Sequence, residues 1–357
     1  RLQTEVDDKN AAISKGTFAA LADVGYDMFN DDWSPKTADE HRRILDTQIL
    51  PHLGKIPVAR LEVDDIERAE KILRRSGGRC RLHTAKQCAP EAYPCPHGGG
   101  KPLKASTVDR AHTVIASVLS SGVRWRWLAV NPTAQMEPAA QSKPTVAPPS
   151  PAGVKRLLEL ASAVGADYLL YVRVAALAGP RRGSICAIRI RDVDVDQKLL
   201  HVTDSAVVVK GRGVVLRATT KEGKPNQVPL DAATVALLRA QLLRLAERAL
   251  AVGVSLTADA FVFSDDPACA TCWHPESQSR RFRKIRAQAG LDGVRFHDLR
   301  HFVGTQLDDL GVPLAVASKR LGHSQKSTTA DMYQHAIDES ERQAADLLAA
   351  LLDDASG

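Results

Sequence analysis

A stretch rich in proline and alanine, PAAQSKPTVAPPSPAG at residues 138–153, divides the chain into two unlike parts. Proline lacks a backbone N–H and fixes φ, so repeated prolines exclude a helix interior or a central strand. Such a composition is typical of an exposed, semi-rigid linker. The chain of 357 residues is also longer than one typical domain. The sequence therefore predicts two domains, at 14–137 and 154–338, with a C-terminal segment at 339–357.

Helical periodicity dominates the first part. Apolar residues recur at steps of three and four over 17–29. A second helix is predicted over 34–54, with Ser34 as N-cap and Pro35 at its first position. Further helices are predicted over 62–78 and from Lys104 to the Asn131-Pro132 pair. Residues 14–137 are predicted to form a compact all-helical domain, and residues 1–13 read as the tail of a preceding helix.

The second part mixes two periodicities. Residues 153–164 and 167–179 read as helices, and the pattern is helical again from 231 onward. Between them, residues 199–230 alternate β-branched residues with Gly-Lys turns, which predicts a small antiparallel meander. The expected fold class is mainly α with a small antiparallel β-sheet in the second domain.

Composition narrows the function classes. No apolar run is long enough for a membrane span, and six cysteines are too few for a disulfide scaffold. No export signal is evident, so we expect a reducing compartment. The net charge of +6 points only weakly to a polyanionic partner, but five of its cations lie within RRFRKIR at 280–286. That segment is either a nucleic-acid-binding surface or a solvated helix face.

A cysteine-rich insertion at 79–101 separates two of the predicted helices. Soft sulfur and nitrogen ligands within so short a stretch suit tetrahedral zinc. The spacing matches no standard finger, so a structural zinc site and a loop with incidental thiols both stay open. The candidate ligands are Cys80, His83, Cys88, Cys95 and His97. A second group has CxxC spacing but no evident fourth ligand, and we favour the interpretation that it binds no zinc. Its members are Cys269, Cys272 and His274.

Short motifs of the second domain form an ordered set. They are Gly179-Pro180-Arg181, Lys221 in a turn eight residues before Pro229, His297-Asp298-Leu299-Arg300, Leu321-Gly322-His323 and Tyr333. Each motif alone is weak, whereas the ordered set is specific. In these residues the chain resembles the tyrosine recombinase, or phage integrase, family. The resemblance implies a catalytic set of Arg181, Lys221, His297, Arg300, His323 and Tyr333. One departure is Ser184, which stands where the family usually carries a glutamate that braces the arginine box.

The chemistry implied by the resemblance fits these residue types. A phenol such as Tyr333 is a nucleophile once deprotonated and a good later leaving group, so no nucleotide or metal cofactor is required. Guanidinium groups stay charged and fit phosphate oxygens, the role expected for Arg181 and Arg300. Lys221 is expected to protonate the leaving 5′-oxygen. His297 and His323 are expected to titrate near neutrality and to donate to phosphate or help deprotonate the phenol.

The resemblance also implies a two-domain DNA clamp in which helices of the first domain approach the major groove. The candidate DNA-contacting residues are Lys36, Thr37, Arg42, Arg43, Lys104, Ser106, Thr107 and Arg110. These types mostly contact phosphates, which positions a protein more than it specifies sequence. The alternative is that they are ordinary exposed helix N-termini. Residues 339–357 carry an amphipathic stripe that is expected to dock on a neighbouring protomer or, alternatively, on their own domain.

The expected function is that of a site-specific recombinase that integrates or excises a mobile element. Its expected partners are double-stranded DNA, three further copies in a homotetramer and accessory DNA-bending or directionality proteins. It is expected in the cytoplasm of a bacterial host, associated with the nucleoid, and residues 1–13 would be the remnant of an N-terminal arm-binding region. Two alternatives stay open: a recombinase that resolves chromosome dimers, and a non-cleaving DNA-binding protein on the same scaffold.

Overall fold

The computed structural model describes residues 16–76, 102–136, 148–209, 211–218 and 226–322. The chain separates into two compact units, Arg1–Pro144 and Thr145–Gly357. The boundary between them falls inside the proline-rich stretch at 138–153. Within the described ranges, no helix is both long and apolar enough to cross a bilayer.

The first unit is helical throughout its described part. Its α-helices are α1 (Phe18–Phe29), α2 (Pro35–Ile44), α3 (Leu50–Leu53), α4 (Val63–Ser76) and α5 (Ala105–Arg124). The predicted capping is confirmed where Ser34 accepts a hydrogen bond of 3.0 Å from the Thr37 amide, one of the donors that a helix N-terminus leaves unpaired. Apolar faces of these helices enclose one core, which includes Phe18, Ile66 and Ile115.

Two helix boundaries differ from the prediction. The helix expected over 34–54 contains a π-helical turn, Leu45–Ile49, before α3. Pro51 has no N–H to continue the α-helical ladder, and the preceding Leu50 amide bonds instead to the Leu45 carbonyl. The helix expected to reach Asn131-Pro132 ends at Arg124. Arg126 takes a positive φ of 62°, and the Trp127 amide turns back to the Gly122 carbonyl at 2.8 Å, which closes the helix.

The second unit places helices around two small sheets. Its helices are α6 (Pro151–Val164), α7 (Ala166–Leu177), α8 (Arg182–Cys186), α9 (Ala232–Ala251), α10 (Pro275–Gln288), α11 (Asp298–Asp309) and α12 (Leu314–Leu321). Its strands are β1 (Val193–Asp194), β2 (Leu199–Val202), β3 (Asp204–Val209), β4 (Gly213–Ala218) and β5 (Asn226–Pro229). The mainly α fold class is confirmed.

The single predicted meander is instead two antiparallel sheets. One has the strand order β1-β2-β5, and the other pairs β3 with β4. Only Thr203 separates the end of β2 from the start of β3. Because a hairpin needs about two connecting residues, β3 cannot fold back onto β2 and pairs with β4 alone.

The core of the second unit surrounds α7. Tyr168 and Tyr171 on this helix are buried among aromatic rings, with Tyr171 and Phe263 centroids 5.2 Å apart. Burial raises the pKa of both phenols above their ordinary value. Neither tyrosine is therefore suited to act as a nucleophile.

Candidate active site

Gly179 begins the site by forming a turn whose backbone conformation strongly favours glycine. Its φ is +76°, and a Cβ built on it would lie 2.8 Å from Leu321 Cδ2. The turn follows α7 and is covered by α11 and α12 through Val303 and Leu321. Glycine therefore allows the backbone just before Arg181 to lie directly beneath these two helices.

Arg300 is held beneath this turn by backbone carbonyls. Its side chain is only 4% exposed, the sole arginine or lysine that is buried to this degree in the described ranges. One guanidinium nitrogen donates to the Gly179 carbonyl at 2.7 Å, and the other donates to the Leu321 carbonyl. No ion pair joins Arg300 to a carboxylate within the part of the chain that the structure describes.

Arg181 adds a second cation to the site. It precedes α8, is exposed, and forms no ion pair with a described residue. Burial lowers the pKa of Arg300 to about 10, and the positive charge of Arg181 acts in the same direction. Arg300 remains charged at neutral pH. A buried, unpaired cation that is repelled by a second one is costly to the free protein, and an anion placed between them would relieve that cost.

His297 corrects one expectation from sequence. It stands at the N-cap position of α11, but its side chain forms no capping hydrogen bond. Although solvent still reaches the ring, surrounding protein atoms lower its pKa to about 4, and the neighbouring His301 and Arg300 reinforce the shift. His297 is therefore neutral at pH 7 in the free protein, where the sequence suggested titration near neutrality. Its ring lies 5.0 Å from that of His301, centroid to centroid.

Helix α8, which follows Arg181, is fixed from three sides. The Tyr171 hydroxyl lies 3.4 Å from both the Arg182 carbonyl and the Cys186 sulfur, one at each end of the helix. The Arg182 guanidinium donates to the Ser279 hydroxyl on α10. A Cβ on Gly183 would lie 2.5 Å from the Ala206 carbonyl oxygen of β3, so the helix rests against that strand. Ser184 is buried within α8.

Strand β5 and helix α12 meet at the edge of the site. The Asn226 amide donates to the Arg320 carbonyl at 3.1 Å, and a Cβ on Gly322 would approach the same amide to 3.0 Å. Gly322 ends α12 with φ of +62°. In the sequence, Asn226 follows segment 219–225, which carries Lys221, and Gly322 precedes His323. The contact therefore joins residues that are sequence neighbours of two predicted catalytic positions.

Comparisons with known proteins identify this arrangement. A model described as the phage integrase family matches residues 150–340, which is more than half of the chain. The chain belongs to the phage integrase family. The match spans every described residue of the predicted catalytic set, Arg181, His297 and Arg300.

Relatives and solved structures agree with the family. The chain is 24% identical over 255 residues to the ICEBs1 integrase of Bacillus subtilis, covering 70% of this chain and 67% of the relative. It is 25% identical over 181 residues to a XerC-like tyrosine recombinase of Caldanaerobacter subterraneus, covering 48% and 46%. The chain thus spans less than half the length of that second relative. The Tn1549 transposon integrase, solved with transposon right end DNA, superposes with a TM-score of 0.71 at 14% identity, over 93% of this chain and 99% of the other.

Three members of the predicted catalytic set lie outside the described residues. They are Lys221, His323 and Tyr333. The structure therefore brings together Arg181, His297 and Arg300, and the other three positions remain predictions. The five candidate zinc ligands, Cys80, His83, Cys88, Cys95 and His97, also lie outside the described ranges, as do residues 1–13 and 339–357.

The candidate DNA-contacting arginines of the first unit are paired with carboxylates. Arg42 donates to Asp46 at 2.5 and 3.0 Å and to Asp23 at 2.7 Å. Arg110 of α5 pairs with Glu40 of α2 at 2.5 Å, and Arg43 lies 3.9 Å from the same carboxylate. A DNA contact by these side chains competes with those ion pairs.

The remaining candidates lie near helix N-termini. Lys36 and Lys104 are exposed and form no ion pair with a described residue. Neither α2 nor α5 carries an acidic residue in its first turn, so both N-termini favour an anion. Ser106 is exposed, Thr107 is half-buried, and Thr37 shares a 2.6 Å hydrogen bond with Ser34.

The cationic segment at 280–286 divides into two sets on α10. Phe282 and Ile285 are buried, and two of the cations serve the fold. Arg281 lies over the Trp273 ring, and Arg286 donates to the Val294 carbonyl at 2.9 Å. The cations left exposed on the outer face are Arg280, Arg283 and Lys284.

Both cysteines of the second group lie in apolar surroundings among the described residues. Cys269 is buried beside Leu245 and Ala260, and Cys272 packs at the edge of the main core. Burial raises the pKa of both thiols, which disfavours the thiolate that zinc requires. Across the described ranges, no three histidine, cysteine or acidic side chains gather as metal ligands would.

Proposed function

We propose that this chain is a site-specific DNA recombinase that cleaves and rejoins strands through a covalent 3′-phosphotyrosine. The observation that carries the proposal is the pair formed by Arg181 and Arg300, two guanidiniums without a carboxylate among the described residues. Such a pair suits a phosphodiester, whose nonbridging oxygens accept from planar donors. The negative charge that grows on those oxygens during displacement is stabilised by the same two groups.

The proposed cleavage step uses the predicted set in named roles. The Tyr333 oxygen attacks phosphorus, the bond from phosphorus to the 5′-oxygen breaks, and Lys221 gives that oxygen a proton. His297 and His323 accept the phenol proton or donate to the phosphate. Since His297 is neutral in the free protein, it is ready to accept; the phosphate charge would then favour its protonated form. Strand joining reverses these steps, so the bond energy is conserved without a nucleotide cofactor.

The proposed DNA partner is held by both units acting as a clamp. In the first unit, Lys36 and Lys104 are favoured over Arg42 and Arg110 as phosphate contacts, because the arginines already pair with carboxylates. In the second, the exposed cations of α10 are suited to the DNA backbone. Salt-sensitive binding is expected from such contacts. A homotetramer, exchange of residues 339–357 between protomers and accessory DNA-bending proteins complete the proposal.

The proposed biological role is integration or excision of a mobile element. The names of the relatives, among them the ICEBs1 integrase of Bacillus subtilis and the integrase of Staphylococcus phage L54a, favour this role. A chromosome-dimer-resolving recombinase is the alternative within the family, favoured by the XerC-like relative. A non-cleaving DNA-binding protein is disfavoured, since binding alone does not call for a buried arginine that has no carboxylate partner among the described residues.

Covalent trapping tests the proposal. Purified protein would be incubated with duplex fragments from the junctions of the element that encodes it, and adducts stable to detergent would be counted. The wild-type protein is expected to form adducts, and Tyr333→Phe is expected to bind the same DNA without forming them. Adduct formation by Tyr333→Phe at the wild-type rate would refute the assignment of the nucleophile.

A further inference from the structure

Arg181 lies between two anchored backbone positions. Two residues before it, the Gly179 carbonyl accepts from Arg300 at 2.7 Å. One residue after it, Arg182 is tied to α7 through its carbonyl and to α10 through its guanidinium. Arg181 itself is exposed, with no partner among the described residues, so its own contacts do not fix its position.

The first anchor is made by Arg300, which belongs to the proposed catalytic set. The second is made by Arg182 and Ser279, which do not belong to it. Arg182 and Ser279 are separated by 97 positions in the sequence, and both side chains are half-buried. Their hydrogen bond joins the start of α8 to α10, while the contacts of Tyr171 and Gly183 hold the helix against α7 and β3. Of these contacts, only the one with Ser279 reaches α10, the helix that also carries the exposed cations Arg280, Arg283 and Lys284.

We infer that Arg182 and Ser279 are positioning residues that aim Arg181 at the scissile phosphate and fix its distance from α10. The inference rests on the proposed function and adds to it two residues outside the catalytic set. Arg182 uses its guanidinium inside the protein, so it is not a third phosphate ligand. Its planar group holds the helix start in one orientation, which a flexible lysine would not reproduce.

The same helix offers a matched control. Ser277 lies two residues before Ser279 and accepts from Arg280 at 3.0 Å, in an exposed pair within α10. Ser277→Ala and Ser279→Ala therefore make the same chemical change on one helix. Only Ser279→Ala removes the hydrogen bond to Arg182 at the start of α8. Ser279→Thr keeps the hydroxyl and serves as the conservative variant.

The experiment measures single-turnover adduct formation on a duplex that the wild-type protein cleaves. Ser279→Ala and Arg182→Gln are expected to slow adduct formation about tenfold, because small misplacements of a catalytic group are costly in rate. Affinity for the same duplex should change less than about twofold, while Ser279→Thr and Ser277→Ala should match the wild type. Equal rates for Ser279→Ala and Ser277→Ala would overturn the inference.

Sulfur substitution in the DNA distinguishes a misplaced Arg181 from a general loss of folding. Duplexes carrying sulfur at one or the other nonbridging oxygen of the scissile phosphate would be compared. If Ser279 aims Arg181 at one oxygen, Ser279→Ala changes the ratio of the two rates; a loss of folding lowers both rates equally. An unchanged ratio together with a lowered thermal midpoint would assign the bond to folding alone.

Failure of the proposed function gives a different result. In that case the wild-type protein forms no adduct with any duplex, and binding of inorganic phosphate to the arginine pair becomes the readout. Ser279→Ala and Arg182→Gln should then weaken phosphate binding several-fold relative to Ser277→Ala. Equal phosphate affinities would reject the positioning role independently of cleavage.

Discussion

The arginines of the two units differ in what neutralises them. In the first unit, Arg42 is enclosed by Asp23 and Asp46, and Arg110 is paired with Glu40. In the second, Arg300 is more deeply buried than either, yet its hydrogen-bond partners among the described residues are backbone carbonyls, and it faces the charge of Arg181. Pairing with carboxylates stabilises a fold, whereas burial of a cation without one leaves a place for an anion from outside the protein.

Replacing Arg300 should have the largest effect. Arg300→Gln is expected to slow adduct formation on the order of 10³-fold, about 4 kcal/mol in the barrier, because a preorganised donor to the phosphate is lost. Single-turnover trapping measures the rate. Arg110→Gln, which removes an exposed and paired arginine, should change that rate less than about tenfold, and equal losses in both variants would remove the distinction between the units.

Replacing Arg42 should affect stability instead. Arg42→Gln breaks its hydrogen bonds with Asp46 and Asp23, whose charges raise the pKa of the arginine in the folded protein. Because the side chain is 36% exposed, solvent screening limits the expected loss to about 1 kcal/mol in the free energy of unfolding. Denaturant unfolding would measure it. A stable variant with strongly reduced DNA affinity would instead make Arg42 a direct DNA contact.

Histidine titration sharpens the comparison further. His52 in the first unit and His297 in the second both have pKa values lowered to about 4, the first by burial alone and the second also by neighbouring cations. Inorganic phosphate should therefore raise the pKa of His297 and leave that of His52 unchanged, as followed by NMR. Parallel shifts at both rings would mean that phosphate does not bind at the arginine pair.

The same pKa values set a pH dependence of stability. The unfolded chain takes up protons near pH 6.5, and these two folded histidines do so only near pH 4. Stability should therefore fall as pH drops from about 6.5 towards 4. His297→Gln should reduce that fall, measured as the thermal midpoint at pH 7 and pH 5, and an unchanged slope would show that folding does not lower the pKa of His297.

The smallest effects are expected from the exposed lysines. Lys36→Gln and Lys104→Gln should each reduce the salt dependence of DNA binding by about one counterion, while Arg43→Gln, whose side chain is near Glu40, should reduce it less. Binding measured across a salt series gives the slopes. Three equal slopes would mean that pairing in the free protein does not predict which cations meet DNA.

The sequence predicted which helices and strands form better than it predicted where they end and how the strands pair. Ser34 and Pro35 marked the start of α2 because capping is a local property. The end of α5 at Arg124 depends on the left-handed backbone conformation of Arg126, which the local sequence does not predict. Two sheets form where one meander was predicted, because the single residue Thr203 is too short to connect β2 and β3 as a hairpin. The sequence could not predict this, since it depends on the exact ends of the two strands.

The site shows the same limit. Arg181, His297 and Arg300 were identified from short motifs, and the structure places Arg181 near Arg300 and Arg300 near His297. The burial of Arg300 and its carbonyl partners depend on packing by α12 and could not be read from its motif. The role of Arg182 could not be read from its motif either, because its partner Ser279 lies 97 positions away in the sequence.

Mass spectrometry of the trapped adduct would identify the residue that attacks the DNA. After digestion of protein and DNA, we expect one modified peptide, in which the Tyr333 oxygen carries a nucleotide through its 3′-phosphate. At the same DNA occupancy, Arg300→Gln should form this adduct on the order of 10³-fold more slowly. A nucleotide on any other residue, or no covalent adduct from wild-type protein saturated with its own junction DNA, would contradict the account.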